Sequence, residues 1–316
     1  MLVLVACAPG SIPLDPVAPE EDLAAPGVTP LETCLADGGE LVEETSHDLG
    51  GGEVRDLDVV DGDTLAFVNL LRTGTFALDD PAGATGAMLY AVPSVVDAAG
   101  AFVVMGDEYG WAHRFDADGG FDSALVGDMD GPTVAVAGET DGRLAWADAA
   151  GHLWSWIEGD PVALTTTLDA PRSLHWRDDG TLFVGGAAGG GPAIEARPSD
   201  LSEGTSGAVS YGPGPVLDLA GRGDAVVYAG GEGGAGFLGV LDGERVDFGG
   251  IDVTPRRVAA GPTLAWTVDG AGLAAWDTAF LPVADVEVDA ISVAVGDTWV
   301  VTGGADGFVR RWACAE

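Results

Sequence analysis

Few residues in this chain could do chemistry. Its histidines are His47, His113, His152 and His175, its cysteines are Cys7, Cys34 and Cys314, and all 13 basic residues are arginine. None of the histidines stands at a metal-binding or catalytic-triad spacing, and the chain has no G-x-S-x-G, H-E-x-x-H, phosphate-loop or CxxC motif. The glycine clusters at 185–191 and 230–236 lack the strand-to-helix setting that a nucleotide loop needs. Satisfied or solvent-facing roles are therefore expected for the imidazoles. Asp116, Asp118 and Asp122 stand at positions 1, 3 and 7 of a calcium-like loop, and Gly127-Asp-Met-Asp-Gly131 is a second acidic turn. Both lack the later bidentate Glu and the full ligand count, so they read as ordinary turns. The sequence predicts no metal and no cofactor.

The charge balance narrows the partners. With 51 acidic residues and a formal net charge of −38, the chain repels phosphate backbones and forgoes the counterion release that drives nucleic-acid binding. Nucleic acid is excluded as a partner on this ground, and the acidity reads as adaptation of a solvated surface.

The elements that must position any site come from a repeat. Gly (50) and Pro (18) are spread along all 316 residues, which favours short strands and tight turns over long helices. From about Val54 onward, two apolar residues two apart recur at intervals of 35 to 43 residues: Leu57/Val59, Val96/Ala98, Val134/Val136, Leu174/Trp176, Leu217/Leu219, Val258/Ala260 and Val293/Val295. Each pair precedes a second strand, a glycine-rich turn and a third strand that often ends in an aromatic residue, as in Leu144-Ala-Trp146 followed by Gly151, Trp154 and Trp156. Aligning the units places Arg55, Arg172 and Arg256 at one position, with Arg257 adjoining. It places Asp58, Asp97, His175 and Asp218 at another.

The closing segments Asp306-Gly-Phe-Val-Arg-Arg-Trp312 and Asp269-Gly-Ala-Gly-Leu-Ala-Ala-Trp-Asp277 resemble the WD-repeat family over roughly residues 40 to 316. Only Trp276-Asp277 keeps the Trp-Asp dipeptide, and the family's Gly-His pair is missing, so the resemblance extends to architecture and not to strict membership. It implies an all-β, seven-bladed β-propeller. The last unit has room for three strands only, and Glu40-Leu-Val-Glu-Glu-Thr45 is expected to supply the fourth and close the ring. That pairing would bring Cys34 to Cys314 as a disulfide in an oxidising compartment. Inner strands begin beside a central channel in such a fold, so Arg55, Arg172, Arg256 and Arg257 would gather toward one rim and select an anionic ligand or an acidic side chain. Asp58, Asp97, His175 and Asp218 could meet across the channel and hold a metal, the alternative reading of a metal-dependent propeller hydrolase.

Leu4-Val-Ala-Cys7 resembles a lipobox, the bacterial lipoprotein signal in which the cysteine carries the lipid; a start site further upstream would supply the basic and apolar residues that precede one. The expected organisation is a truncated signal over 1–7, a disordered Pro- and acid-rich tether over 8–33 and the propeller over 34–316. The function expected is that of a non-catalytic, monomeric binding scaffold. It would be exported and held at the outer membrane through the lipid on Cys7 alone, facing the periplasm or exterior, with another envelope or extracellular protein as partner.

Overall fold

The computed structural model describes residues 27–315 apart from 89–91, 101, 117–120, 125–130, 203, 210–213 and 244. Cys7, most of the expected tether and most of the two acidic turns lie outside the described residues. Seven four-stranded antiparallel sheets form the chain into a β-propeller. The inner strands of blades 1 to 7 are Val54–Asp61, Pro93–Ala99, Thr133–Gly138, Ala170–Trp176, Val216–Arg222, Arg257–Ala260 and Ser292–Val295.

The strand pattern explains why the sheets stack. In blade 3 the second strand, Leu144–Asp148, is buried along its whole length. The third, Leu153–Trp156, alternates between buried and half-buried, and the outer strand, Val162–Leu164, is largely exposed. Burial therefore falls from the axis outward, and each second strand is packed from both sides. Leu174, Trp176, Leu182 and Val184 of blade 4 share one apolar cluster with Ala145, Ala147 and Leu153 of blade 3. At about 1.5–3 kcal/mol for each large apolar side chain buried, these seams between blades supply most of the cohesion.

The ring closes as the sequence predicts. Strand Glu40–Asp48 pairs antiparallel with Phe308–Ala315, with Leu41 opposite Cys314 and His47 opposite Val309, so the beginning of the chain completes the last blade. A disulfide joins Cys34 to Cys314, with Cα atoms 6.1 Å apart. It lies over Gly39, where a Cβ would collide with both sulfur atoms. The disulfide points to an oxidising compartment. No helix among the described residues is long and apolar enough to cross a membrane.

One element departs from the expected tether. Helix α1, Pro30–Ala36, starts inside the segment assigned to it by composition. Thr29 caps the helix and exchanges hydrogen bonds with Glu32 in a capping box, while Pro30 fits the first turn, where no amide donor is needed. Leu31 and Leu35 enter the core of blades 6 and 7, and the Glu32 carboxylate accepts from the amides of Thr263 and Leu264. Pro and Glu are thus helix-starting signals here rather than signs of disorder.

Candidate functional site

The inner strands surround a channel of about 350 Å³. In blades 1 to 5 each of these strands carries a β-bulge near its start, at Val54/Asp56, Pro93/Val95, Thr133/Ala135, Pro171/Ser173 and Val216/Asp218. A bulge inserts one residue and re-aims its neighbours. Arg55 and Arg172 occupy the inserted position, a consequence of the shared alignment that the sequence detected.

Four aspartates line the channel, and each carboxylate accepts a hydrogen bond from a backbone amide of the next blade. Asp56 receives Val96 N–H at 3.1 Å, Asp58 receives Ala98 at 2.7 Å, Asp97 receives Gly138 at 2.7 Å and Asp218 receives Val258 at 2.7 Å. Asp58 and Asp97 also hydrogen-bond each other; burial pushes both upward from the usual carboxylate range, and their mutual repulsion raises Asp97 further. Asp56 lies beside Arg257, whose Nε stands 3.1 Å from Oδ1, and this contact spans from blade 6 to blade 1. Burial pushes Asp218 up to about 7 against the opposing pull of Arg257.

His175 lines the same channel, and burial drives it down to about 4, so the imidazole is neutral at pH 7. Gly221 of blade 5 makes room for it: a Cβ there would stand 2.6 Å from Nε2. The four residues of the metal reading thus all face one cavity, yet among the described residues no three His, Cys, Asp or Glu side chains gather closely enough to hold a metal. The two other buried or half-buried histidine pairs, His113 with Asp107 and His152 with Asp148, belong to turns between the second and third strands, each at 2.9 Å. There the aspartate also accepts turn amides, as Asp148 does from Ala150 and His152.

The arginines separate. Arg172 and Arg257 line the channel, whereas Arg55 is held outside it by Glu53 at 2.7 Å and by the Pro93 carbonyl of blade 2. Arg256 is exposed on the surface beside Gly270. The sequence alignment also placed Asp218 level with Asp58 and Asp97. The pairing shows instead that Asp218 follows the bulge as Asp56 does, opposite Ala229 where Asp56 stands opposite Val68. The sequence suggests Asp56 only as a local partner for Arg55 and not as a channel residue; its place two residues before Asp58 on the same strand face was the available signal, and its partner is Arg257.

The buried carboxyls set a pH dependence. Asp218 has a folded value near 7 against an ordinary 3.8, so between these limits the native state holds more protons than the unfolded chain and stability falls as the pH rises. Asp58 and Asp97 act in the same sense. The thermal midpoint is expected to drop between about pH 5 and pH 8, and Asp218→Asn, which keeps an acceptor for Val258, should flatten that slope. A slope unchanged in the variant would contradict this assignment.

No family model matches the chain, and no curated protein sequence does. Solved structures match the fold. A chain of the mitotic checkpoint complex shares 13% identity at a TM-score of 0.70, covering 87% of this chain and 96% of that one. Virginiamycin B lyase from Staphylococcus aureus shares 10% at 0.72, covering 87% and 99%, and a streptogramin B lyase shares 9% at 0.71, covering 87% and 98%. Together with the seven sheets and the axial channel, these define the class of the protein as a seven-bladed β-propeller. At such identities the likeness shows the fold alone.

Proposed function

We propose that the chain is a non-catalytic binding propeller, a monomeric rigid disc tethered by a lipid on Cys7 and presenting its faces to another envelope or extracellular protein or to a ligand. The observation that supports this reading is the use made of the channel carboxylates: Asp56, Asp58, Asp97 and Asp218 each accept an amide of the neighbouring blade. Lone pairs committed to holding the ring together are poor candidates for metal ligands or general bases. One of the similar folds comes from a multi-protein complex and two are lyases, so the fold by itself favours neither class. The disulfide agrees with export to an envelope.

The test is made on protein extracted from the envelope with detergent and purified without chelator. Mass spectrometry is expected to find an acyl-modified Cys7, and elemental analysis well under one divalent metal ion per chain. A tightly held stoichiometric ion that is lost on Asp97→Asn would replace this reading with the metal-dependent hydrolase.

A further inference from the structure

Arginine is scarce in this chain and almost all of it is engaged. Arg55, Arg114, Arg177 and Arg222 each donate to a backbone carbonyl of the following blade, at Pro93, Gly142, Asp224 and Gly261. The rest pair with carboxylates or with loop carbonyls, save two. Among the described residues only Arg172 and Arg256 have no side-chain partner, and of these only Arg172 faces the channel. A half-buried guanidinium left unpaired beside a cavity gives up hydration with nothing in return.

The charges around it select the sign and size of a guest. Across the mouth, Arg257 is matched by Asp56 and by Asp218, whose carboxylates bond Val96 and Val258. The hydrogen-bonded carboxyls of Asp58 and Asp97, both raised by burial, and the neutral His175 line the same channel. Among the described residues Arg172 is thus the uncompensated cation of the channel, and a doubly charged anion would meet four aspartates with a single charge to hold it. Most of the lining surface is polar, with a smaller apolar share from residues such as Val96, Val136, Leu174, Leu219, Ala259 and Val295, which leaves room for only a short apolar stem. A volume of about 350 Å³ is at the small end of ligand cavities.

We propose that the channel binds a monocarboxylate with a short apolar stem, its carboxylate paired with the Arg172 guanidinium. The same chemistry is carried by a free short-chain carboxylate and by a glutamate side chain of a partner. This deepens the binding-disc reading and rests on it. Recruiting a carboxylate into the channel that Asp218, Asp58 and Asp97 line favours their protonated forms, so binding is accompanied by proton uptake and tightens as the pH falls.

Calorimetric titration of the full chain with butyrate, and separately with acetyl-glutamate amide, tests the site. One-to-one binding is expected with at least one of them, butyrate alone indicating a free carboxylate and the blocked glutamate alone a partner's side chain. Arg172→Gln should weaken binding about tenfold or more, Arg172→Lys less, and Arg256→Gln should leave it within about twofold. Wild type should bind more tightly at pH 6 than at pH 8, and Asp218→Asn should reduce that difference, the remainder coming from Asp58 and Asp97. Retention of the disulfide and of the thermal midpoint in Arg172→Gln excludes misfolding as the cause. Absence of saturable binding by either probe, or equal affinity in a folded Arg172→Gln, overturns the carboxylate site. Neither result touches the binding-disc reading, which the acyl and metal measurements test separately.

Discussion

Replacing Cys34 and Cys314 by Ser is expected to cost the propeller about 5 kcal/mol of unfolding free energy, the largest effect of any conservative change in the chain. The bridge spans 280 residues of sequence, so in the open chain it removes a closure entropy near the upper end of what one crosslink can supply. In the folded chain it reinforces a seam that other contacts already make: the strand Glu40–Asp48 on Phe308–Ala315, and α1 seated on blades 6 and 7 through Leu31, Leu35 and Glu32. The variant should therefore still close its ring but unfold at much lower denaturant. Equilibrium denaturation of both proteins measures the difference, and a loss below about 1 kcal/mol would mean that the strand pairing alone fixes the seam. Reduction of the wild type should reproduce the variant.

Arg197→Met is the second large effect, with an expected cost of about 3–5 kcal/mol. Glu195 and Arg197 lie on the third strand of blade 4, both fully buried, with Nε and Oε1 2.7 Å apart. The other carboxylate oxygen accepts from the Thr166 and Thr167 hydroxyls and from the Thr167 amide, and these bonds hold Glu195 below the usual range despite its burial. Arg197 Nη1 donates to the carbonyls of Leu201 and Ser202, fixing a turn in which Leu201 sits at φ 56°, a left-handed conformation that a branched side chain adopts only when constrained. Removing the guanidinium leaves a buried carboxylate without its counter-charge and frees that turn. Combining Glu195→Gln with Arg197→Met should recover part of the loss, because no unpaired charge then remains. A single-variant cost no greater than that of the double would show that the pair contributes packing only.

The blade count and the closure were legible because both depend on spacing. A forty-residue interval survives irregular turns, and a last unit too short for four strands demands one from elsewhere. The pairing of Cys34 with Cys314 followed from that closure. The register within the inner strands was not legible, for a physical reason. Side chains in a strand repeat every two residues, so a slip of two keeps every apolar residue on its own face. Leu217 and Leu219 fit the blade 5 marker equally well, and the structure sets Leu219 opposite Tyr228 as it sets Leu57 opposite Phe67. Val136 likewise takes the place given to Val134, opposite Trp146. The bulges do not separate the arginines either, since Arg55 and Arg172 share the inserted position and it is Glu53 and the Pro93 carbonyl that hold Arg55 away from the channel. Glu195 and Arg197 showed no signal at all, because two charges two apart on a third strand read as a solvated face until the neighbouring loops are seen to cover them.

The channel aspartates are bound to the next blade rather than free for chemistry, and amide hydrogen exchange in Asp97→Ala reads this directly. Exchange at Gly138 should accelerate about tenfold relative to the wild type while a distant core amide such as Val300 stays unchanged, and Asp97→Asn should restore the protection. Gly138 exchanging at the wild-type rate in Asp97→Ala would mean that the carboxylate does not hold that amide, and the case against a catalytic channel would fail with it.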